Sequence, residues 1–233
     1  KKNGEIAIKS VRHESLCVIV SLPCVGGSQM QHRNNWRPGA DKRMRKYYKE
    51  FKQLMDSIKT ICRAAAKFGA RIIFEWPRHC AYWQETCVQE FLKEHKLKPI
   101  AIDGCAVGLV TLKGGLPIYK PWTFATNDVH IWEALQGLRC PGKTIHQHGI
   151  CKGKDAKNSE SYTDELVSIV HDAFNKSVNA HGKAMCMLSE AYSLFNSSPR
   201  REAERKNCED SKEAVLHAAA APIMPTVNYS DNS

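Results

Sequence analysis

No stretch of this sequence approaches the ~18 consecutive apolar residues that cross a bilayer, and no amphipathic or lipid-anchoring pattern stands in for one. The expectation is a protein with no membrane partner. No apolar leader opens the chain. The 10 cysteines have no paired spacing and stand within apolar runs at Cys17, Cys62, Cys87 and Cys105. That distribution argues against a secreted disulfide scaffold and for reduced thiols in an intracellular protein, nuclear or cytoplasmic. No segment repeats itself, which removes solenoids and propellers. Acid is also in short supply, since 24 Asp and Glu face 34 Lys and Arg for a net charge of +10. The last 37 residues do not supply the excess: residues 197–233 hold five basic and six acidic side chains, leaving about +11 on the remainder. A basic surplus of this size points to a polyanion, DNA or RNA, before a membrane surface.

What is present suffices for one core. A chain of 233 residues with 42% hydrophobic content can bury a single domain. Residues 1–15 are polar and read as a leader or an edge strand. Cys17 to Leu22 is an apolar run that ends in Pro23 and then Gly26-Gly27, the pattern of a strand buried on both faces and emptying into a loop. From Asp41 to Phe68 apolar residues recur at the helical period through Phe51, Ile58 and Ala65, and Gly69 supplies a stop. Arg71 to Phe74 is a second strand, Tyr82 to Lys96 a second helix, and Ile100 to Ile102 a third strand. Strand, helix, strand, helix, strand implies right-handed crossovers and a parallel sheet. The runs Ala106 to Leu112 and Ile118 to Thr126, joined through Gly114-Gly115, read as a hairpin at one edge of that sheet. Tyr162 to Asn175 and Lys183 to Phe195 read as two further helices, with Ser161 and Thr163 as caps for the first. The fold class expected is α/β: a Rossmann-like, mainly parallel sheet over residues 16–196, helices on both faces, an antiparallel edge hairpin, and a disordered tail from 197 to 233.

The first two strands each end in a reactive side chain beside a proline, Pro23-Cys24 and Glu75-Trp76-Pro77. Parallel strands would bring both to one carboxyl edge, where open α/β sheets bind ligands. A thiolate there can add to an electron-poor ring while a carboxyl holds and protonates it. A helix starting just after Gly26-Gly27 would lower the thiol pKa. Beside this stands a plainer reading, in which Cys24 is a packed thiol and Glu75 a surface carboxylate. Trp76, Trp83 and Trp122 are expected in the core rather than as base-stacking platforms.

In this order of elements the chain resembles the cytosine-C5 DNA methyltransferases. Pro23-Cys24 is similar to their Pro-Cys strand end, Glu75-Trp76-Pro77 to their Glu-Asn-Val, and Asp103-Gly104-Cys105 through Lys120 to their subsequent hairpin. The resemblance covers roughly residues 16–127. It implies that Cys24 attacks the base, that Glu75 binds and protonates it, and that Lys120 replaces a basic residue. The family's Phe-x-Gly-x-Gly element for S-adenosylmethionine has no counterpart here, so that cofactor is implied only if a missing N-terminal part supplies it. Over Ser21 to about Leu166, the run Pro-Cys-x-Gly-Gly-Ser, Glu-Trp-Pro, Asp-Gly-Cys, Lys-Pro-Trp and His-x-His is also similar to methyltransferase-like segments of retroelement-type polyproteins. The expectation is a partial or degenerate module of that kind, with other parts of a polyprotein as partners.

Two further clusters carry chemistry. Arg33, Arg37, Lys42, Arg43, Arg45 and Lys46 lie directly after the Cys24 loop, with only Asp41 opposing them. Cations at a helix start oppose its dipole, and phosphate contact would explain them; the alternative is a solvated helix face. Cys140, His146, His148 and Cys151 fall within twelve residues as C-x5-H-x-H-x2-C, four ligands that suit zinc at a spacing unlike the common fingers. A Lys/His-rich loop facing phosphate is the other reading. Three functions therefore compete: the methyltransferase-like domain, a non-catalytic nucleic-acid-binding module, and a zinc-dependent nuclease using His146 and His148.

Overall fold

The computed structural model describes residues 16–29, 31, 36–142, 144–145, 147–195 and 214–218, with backbone alone for 182–195 and 214–218. The expected leader or edge strand at 1–15 lies outside the described residues. The chain runs β1 (Leu16–Ser21), α1 (Ala40–Ala66), β2 (Arg71–Pro77), α2 (Thr86–Glu94), β3 (Lys98–Asp103), β4 (Pro121–Thr126), α3 (Val129–Leu135), α4 (Lys154–Asn158), α5 (Asp164–Phe195) and β5 (Ala214–Ala218). Four strands form a mixed sheet in the order β3-β4-β2-β1, and β5 adds to the free edge of β1. β1 is parallel to β2 and to β5, whereas β4 is antiparallel to both β2 and β3.

Period-two alternation divides the strands between two cores. Leu16, Val18 and Val20 of β1 and Ile72, Phe74 and Trp76 of β2 pack under α1 and α2, against Phe51, Met55, Val88 and Phe91. Cys17 and Ile73 face the other way, joining Ile102, Trp122 and Phe124 beneath Ile131, Leu135, Leu166 and Phe174 of α3 and α5. The α/β class holds, with helices packed on both faces of the sheet. Trp76, Trp83 and Trp122 are buried, as core residues should be. No helix of the described residues is long and apolar enough to cross a membrane, and the cysteines among them whose side chains are described are free thiols.

The hairpin does not form at an edge. Its second arm, β4, inserts between β2 and β3, so the antiparallel strand is internal and the order departs from a Rossmann-like sheet. Its first arm is no strand: residues Gly104–Val107 make a 3₁₀ turn that ends at Gly108 with φ 76. Past that turn, only an isolated bridge, Val110 to Pro117, remains. The left-handed glycine redirects the chain, leaving Val110 and Leu112 exposed. The two expected C-terminal helices are one continuous α5, because a lone Gly182 costs a helix only about 1 kcal/mol and no proline breaks it. Thr163 caps it, its Oγ1 accepting from the Leu166 N–H at 3.2 Å. Within the tail expected to be disordered, residues 214–218 pair in parallel with β1 as β5; the rest of 197–233 lies outside the described residues.

A buried ionic link joins the sheet to its second helical layer. Arg71, at the start of β2, donates from Nε to Ser177 Oγ of α5 at 3.1 Å and lies 3.5 Å from Asp128 Oδ2. Asp128 in turn caps α3 by accepting from the Ile131 N–H at 3.0 Å, and Ser177 donates to it. Replacing Asp128 with Ala is expected to destabilise the fold by about 3–5 kcal/mol, because it leaves a guanidinium buried without its carboxylate. Asp128→Asn should cost less, since the amide oxygen keeps the cap. The denaturation midpoints of the two variants check that ranking.

Candidate functional site

The parallel pairing of β1 and β2 sets Ser21 directly opposite Glu75 at the carboxyl ends of both strands. There the side chains open into a cleft of about 230 Å³ with walls from Leu22, Pro23, Trp76 and Trp122 and a rim that includes Lys120 and Glu160. Glu75 is only 5% exposed. Its Oε2 accepts from the Ser21 hydroxyl at 3.0 Å and from the Tyr162 hydroxyl at 2.7 Å. Burial pushes the Glu75 carboxyl above its ordinary range, and the two hydroxyls with the Lys120 charge only partly oppose that. Tyr162 is shifted up as well, by burial first and by the Glu75 charge second. The Lys120 ammonium rests 5.3 Å from the Trp122 ring centroid and donates to the Ser159 carbonyl and to Ser159 Oγ. Lys120 is thus part of the cleft rim, apart from the basic helix.

Cys24 stands beside this cleft on the turn that leaves β1. It is half-buried against the α1 and α2 core. Its thiol pKa is raised, by burial first and then by the Glu75 charge, with Lys120 only a partial offset. The expected lowering by a helix start is therefore corrected. The chain leaves Cys24 through a single 3₁₀ turn, Val25–Gly27, and a three-residue turn has too short a dipole to stabilise a thiolate. The glycines answer to packing. A Cβ on Gly26 would lie 2.0 Å from the Tyr82 hydroxyl oxygen and 2.8 Å from Tyr47 Cβ, and one on Gly27 would lie 2.6 Å from Cys80 Sγ.

Tyr47 belongs to α1, so the same contact seats the start of that helix against the Cys24 turn. Arg37, Lys42, Arg43, Arg45 and Lys46 are all exposed there; Arg33 lies outside the described residues. Arg43 donates to the Pro38 carbonyl at 2.9 Å and Lys46 lies 3.8 Å from Glu50. Trp36, which the sequence pattern does not single out, is 78% exposed with the Arg37 guanidinium 5.6 Å from its ring centroid. Ser21, Glu160 and Tyr162 were missed as well. Ser21 alone had a sequence signal, its place two residues beyond Ile19 on the face that Glu75 shares.

Among the described residues of the C-x5-H-x-H-x2-C quartet, Cys151 does not join Cys140 and His148. His146 lies outside the described residues. Cys151 faces Ser159, Sγ to Oγ 3.6 Å. Cys140 and His148 do meet, Sγ to Nε2 3.4 Å, and Cys105 joins them, so that one ligand atom from each lies within 4.8 Å of the others. A Cys/Cys/His group able to hold a metal therefore exists, with Cys105 in place of Cys151. Nothing in the described residues supports an S-adenosylmethionine site. No protein-family model, curated protein or solved structure matches the chain.

The raised Glu75 pKa has a stability consequence. Between its ordinary value of 4.5 and its higher folded value, the folded protein holds a proton that the unfolded chain releases, so stability falls as pH rises through that interval. Glu75→Gln removes this loss. Its thermal midpoint should match wild type in acid and exceed it increasingly as pH rises above the ordinary carboxyl value of 4.5; parallel curves would mean that the carboxyl is solvated.

Proposed function

We propose that the protein is a nucleic-acid-directed, cytosine-C5 methyltransferase-like module of a mobile-element polyprotein, in which the Glu75 cleft receives a single base and the start of α1 holds the backbone. The observation that carries this reading is the buried Glu75 carboxyl between two hydroxyl donors at the end of parallel strands. Burial favours its protonated form, which offers an O–H donor to a ring nitrogen, the role that the methyltransferase resemblance gives it. The cleft is lined by Pro23, Pro77, Trp122 and Tyr162, surroundings suited to a flat ring taken out of its stack. The exposed pair Trp36 and Arg37 and the cations of α1 supply a stacking face beside phosphate contacts.

The Cys24 thiol favours the second reading, a module that binds without reacting, since burial and Glu75 both oppose its ionisation. Trapping separates the two. A duplex bearing 5-fluorocytosine, incubated with S-adenosylmethionine, should give a covalent adduct lost in Cys24→Ser if the module is active. Binding without adduct leaves the non-catalytic module.

The nucleic-acid partner itself is tested by salt. Replacing Arg37, Arg43 and Arg45 with Ala should flatten the log–log salt dependence of DNA or RNA binding by about 2 to 3 units, roughly 0.7 to 0.9 for each phosphate lost. Cys24→Ser should leave it unchanged. Trp36→Ala should weaken single-strand binding by about 1–3 kcal/mol without altering the slope. Equal slopes for wild type and the triple variant would reduce the cluster to a solvated helix face.

A further inference from the structure

We propose that Cys105, Cys140 and His148 form a zinc site that fastens the long connection between α3 and α4 to the end of β3. That connection spans residues 136–153, and its described residues form no helix or strand. Loops longer than about 12–15 residues are uncommon in compact domains unless something organises them. Hydrogen bonds hold both ends of this connection. The Asp103 N–H donates to the Leu138 carbonyl at 2.9 Å and the Gly149 N–H to the Pro117 carbonyl at 2.8 Å. The three ligands lie between those points, one on the turn after β3 and two on the loop.

The separations suit the metal. Zinc bonds of about 2.3 Å to sulfur and 2.0–2.1 Å to nitrogen, held tetrahedrally, put a sulfur and a nitrogen ligand about 3.6 Å apart. Cys140 Sγ and His148 Nε2 are 3.4 Å apart. Cys105 completes a group whose ligand atoms stay within 4.8 Å of one another, so closing the site needs shifts of about an ångström or less at the third ligand. Two sulfurs and one imidazole are a soft-to-borderline set, which selects zinc over calcium or magnesium. A fourth position is left for water or another donor.

The surroundings of Cys140 are those of a metal thiolate. The Gly142 N–H donates to Cys140 Sγ at 3.3 Å, across Pro141, and Gly142 adopts φ 107, open to glycine alone. The Cys140 N–H is held by Asp103 Oδ2 at 2.9 Å, and the same carboxylate receives Arg139 Nε at 2.9 Å and Arg78 Nη2 at 2.7 Å. An outer shell thus orients the ligand before any metal arrives. The Tyr119 ring packs on His148, centroids 5.6 Å apart.

Full-length protein, reduced and stripped with a chelator, should take up one Zn²⁺ per chain in competition with a chromophoric chelator. Co²⁺ in its place should give the visible bands of a tetrahedral ion and a near-ultraviolet thiolate charge-transfer band. Cys105→Ser and Cys140→Ser should each weaken zinc by at least about 10-fold, the scale on which even outer-shell partners act, and Cys151→Ser should not. A second measurement on wild type alone avoids variants that fail to fold: zinc should protect Cys105 and Cys140, and not Cys151, from thiol alkylation, read peptide by peptide by mass spectrometry. No zinc uptake, protection of Cys151 with Cys140 while Cys105 reacts, or a Cys105–Cys140 disulfide in place of metal binding would each overturn the proposal.

Discussion

The register of the parallel β1–β2 pair is the constraint on which the rest of the molecule depends. With Cys17 opposite Arg71, Ser21 falls opposite Glu75, and both turn to the face covered by α5. The even-numbered residues Phe74 and Trp76 turn to the other face, into an aromatic cluster with Phe51, Tyr82 and Trp83. A slip of one residue would exchange the two sets, driving a carboxyl into that cluster and an indole into the cleft. The Trp76 indole N–H donates to the Leu22 carbonyl at 2.7 Å, which ties the pair together at the point where the strands end. The fold and the cleft therefore rest on one arrangement.

The cleft gathers its polar groups from segments far apart in the chain. Ser21 and Glu75 come from strand ends, Lys120 from the residue before β4, and Tyr162 from the turn before α5. Tyr162 holds its place because Thr163, next to it, both caps α5 and donates to the Val107 carbonyl. Removing Glu75 from water has a cost, and the two hydroxyls recover part of it. Burial still prevails, leaving the carboxyl above its ordinary pKa range.

The turn after β1 shows how packing and reactivity compete. Gly26 and Gly27 admit Tyr47, Tyr82 and Cys80 so closely that no side chain fits there. That close approach seats α1, with its exposed cations, beside the cleft. It also half-buries Cys24, and burial is the main reason the thiol resists ionisation. The contacts that carry the basic helix to the site therefore work against a nucleophile at it.

Local pattern alone determined a good part of this architecture. The apolar run ending at Pro23, the helical period from Asp41 onward with its stop at Gly69, and the alternation of strand and helix up to Asp103 each arise from neighbours a few residues apart. They led to the α/β class, to the direction of β1, β2 and β3, and to Cys24 and Glu75 at one edge. Adjacency was not legible. Strand order depends on which edges remain to be paired, and β4 enters between β2 and β3 with its backbone paired to both. The burial that raises Glu75 and Cys24 depends on side chains from α1 and α5. The pairing of Cys105 with Cys140 and His148 spans segments that no spacing rule connects. Periodicity is a property of short stretches of chain, whereas ligand sets and shifted pKa values belong to the enclosed space that distant segments make together.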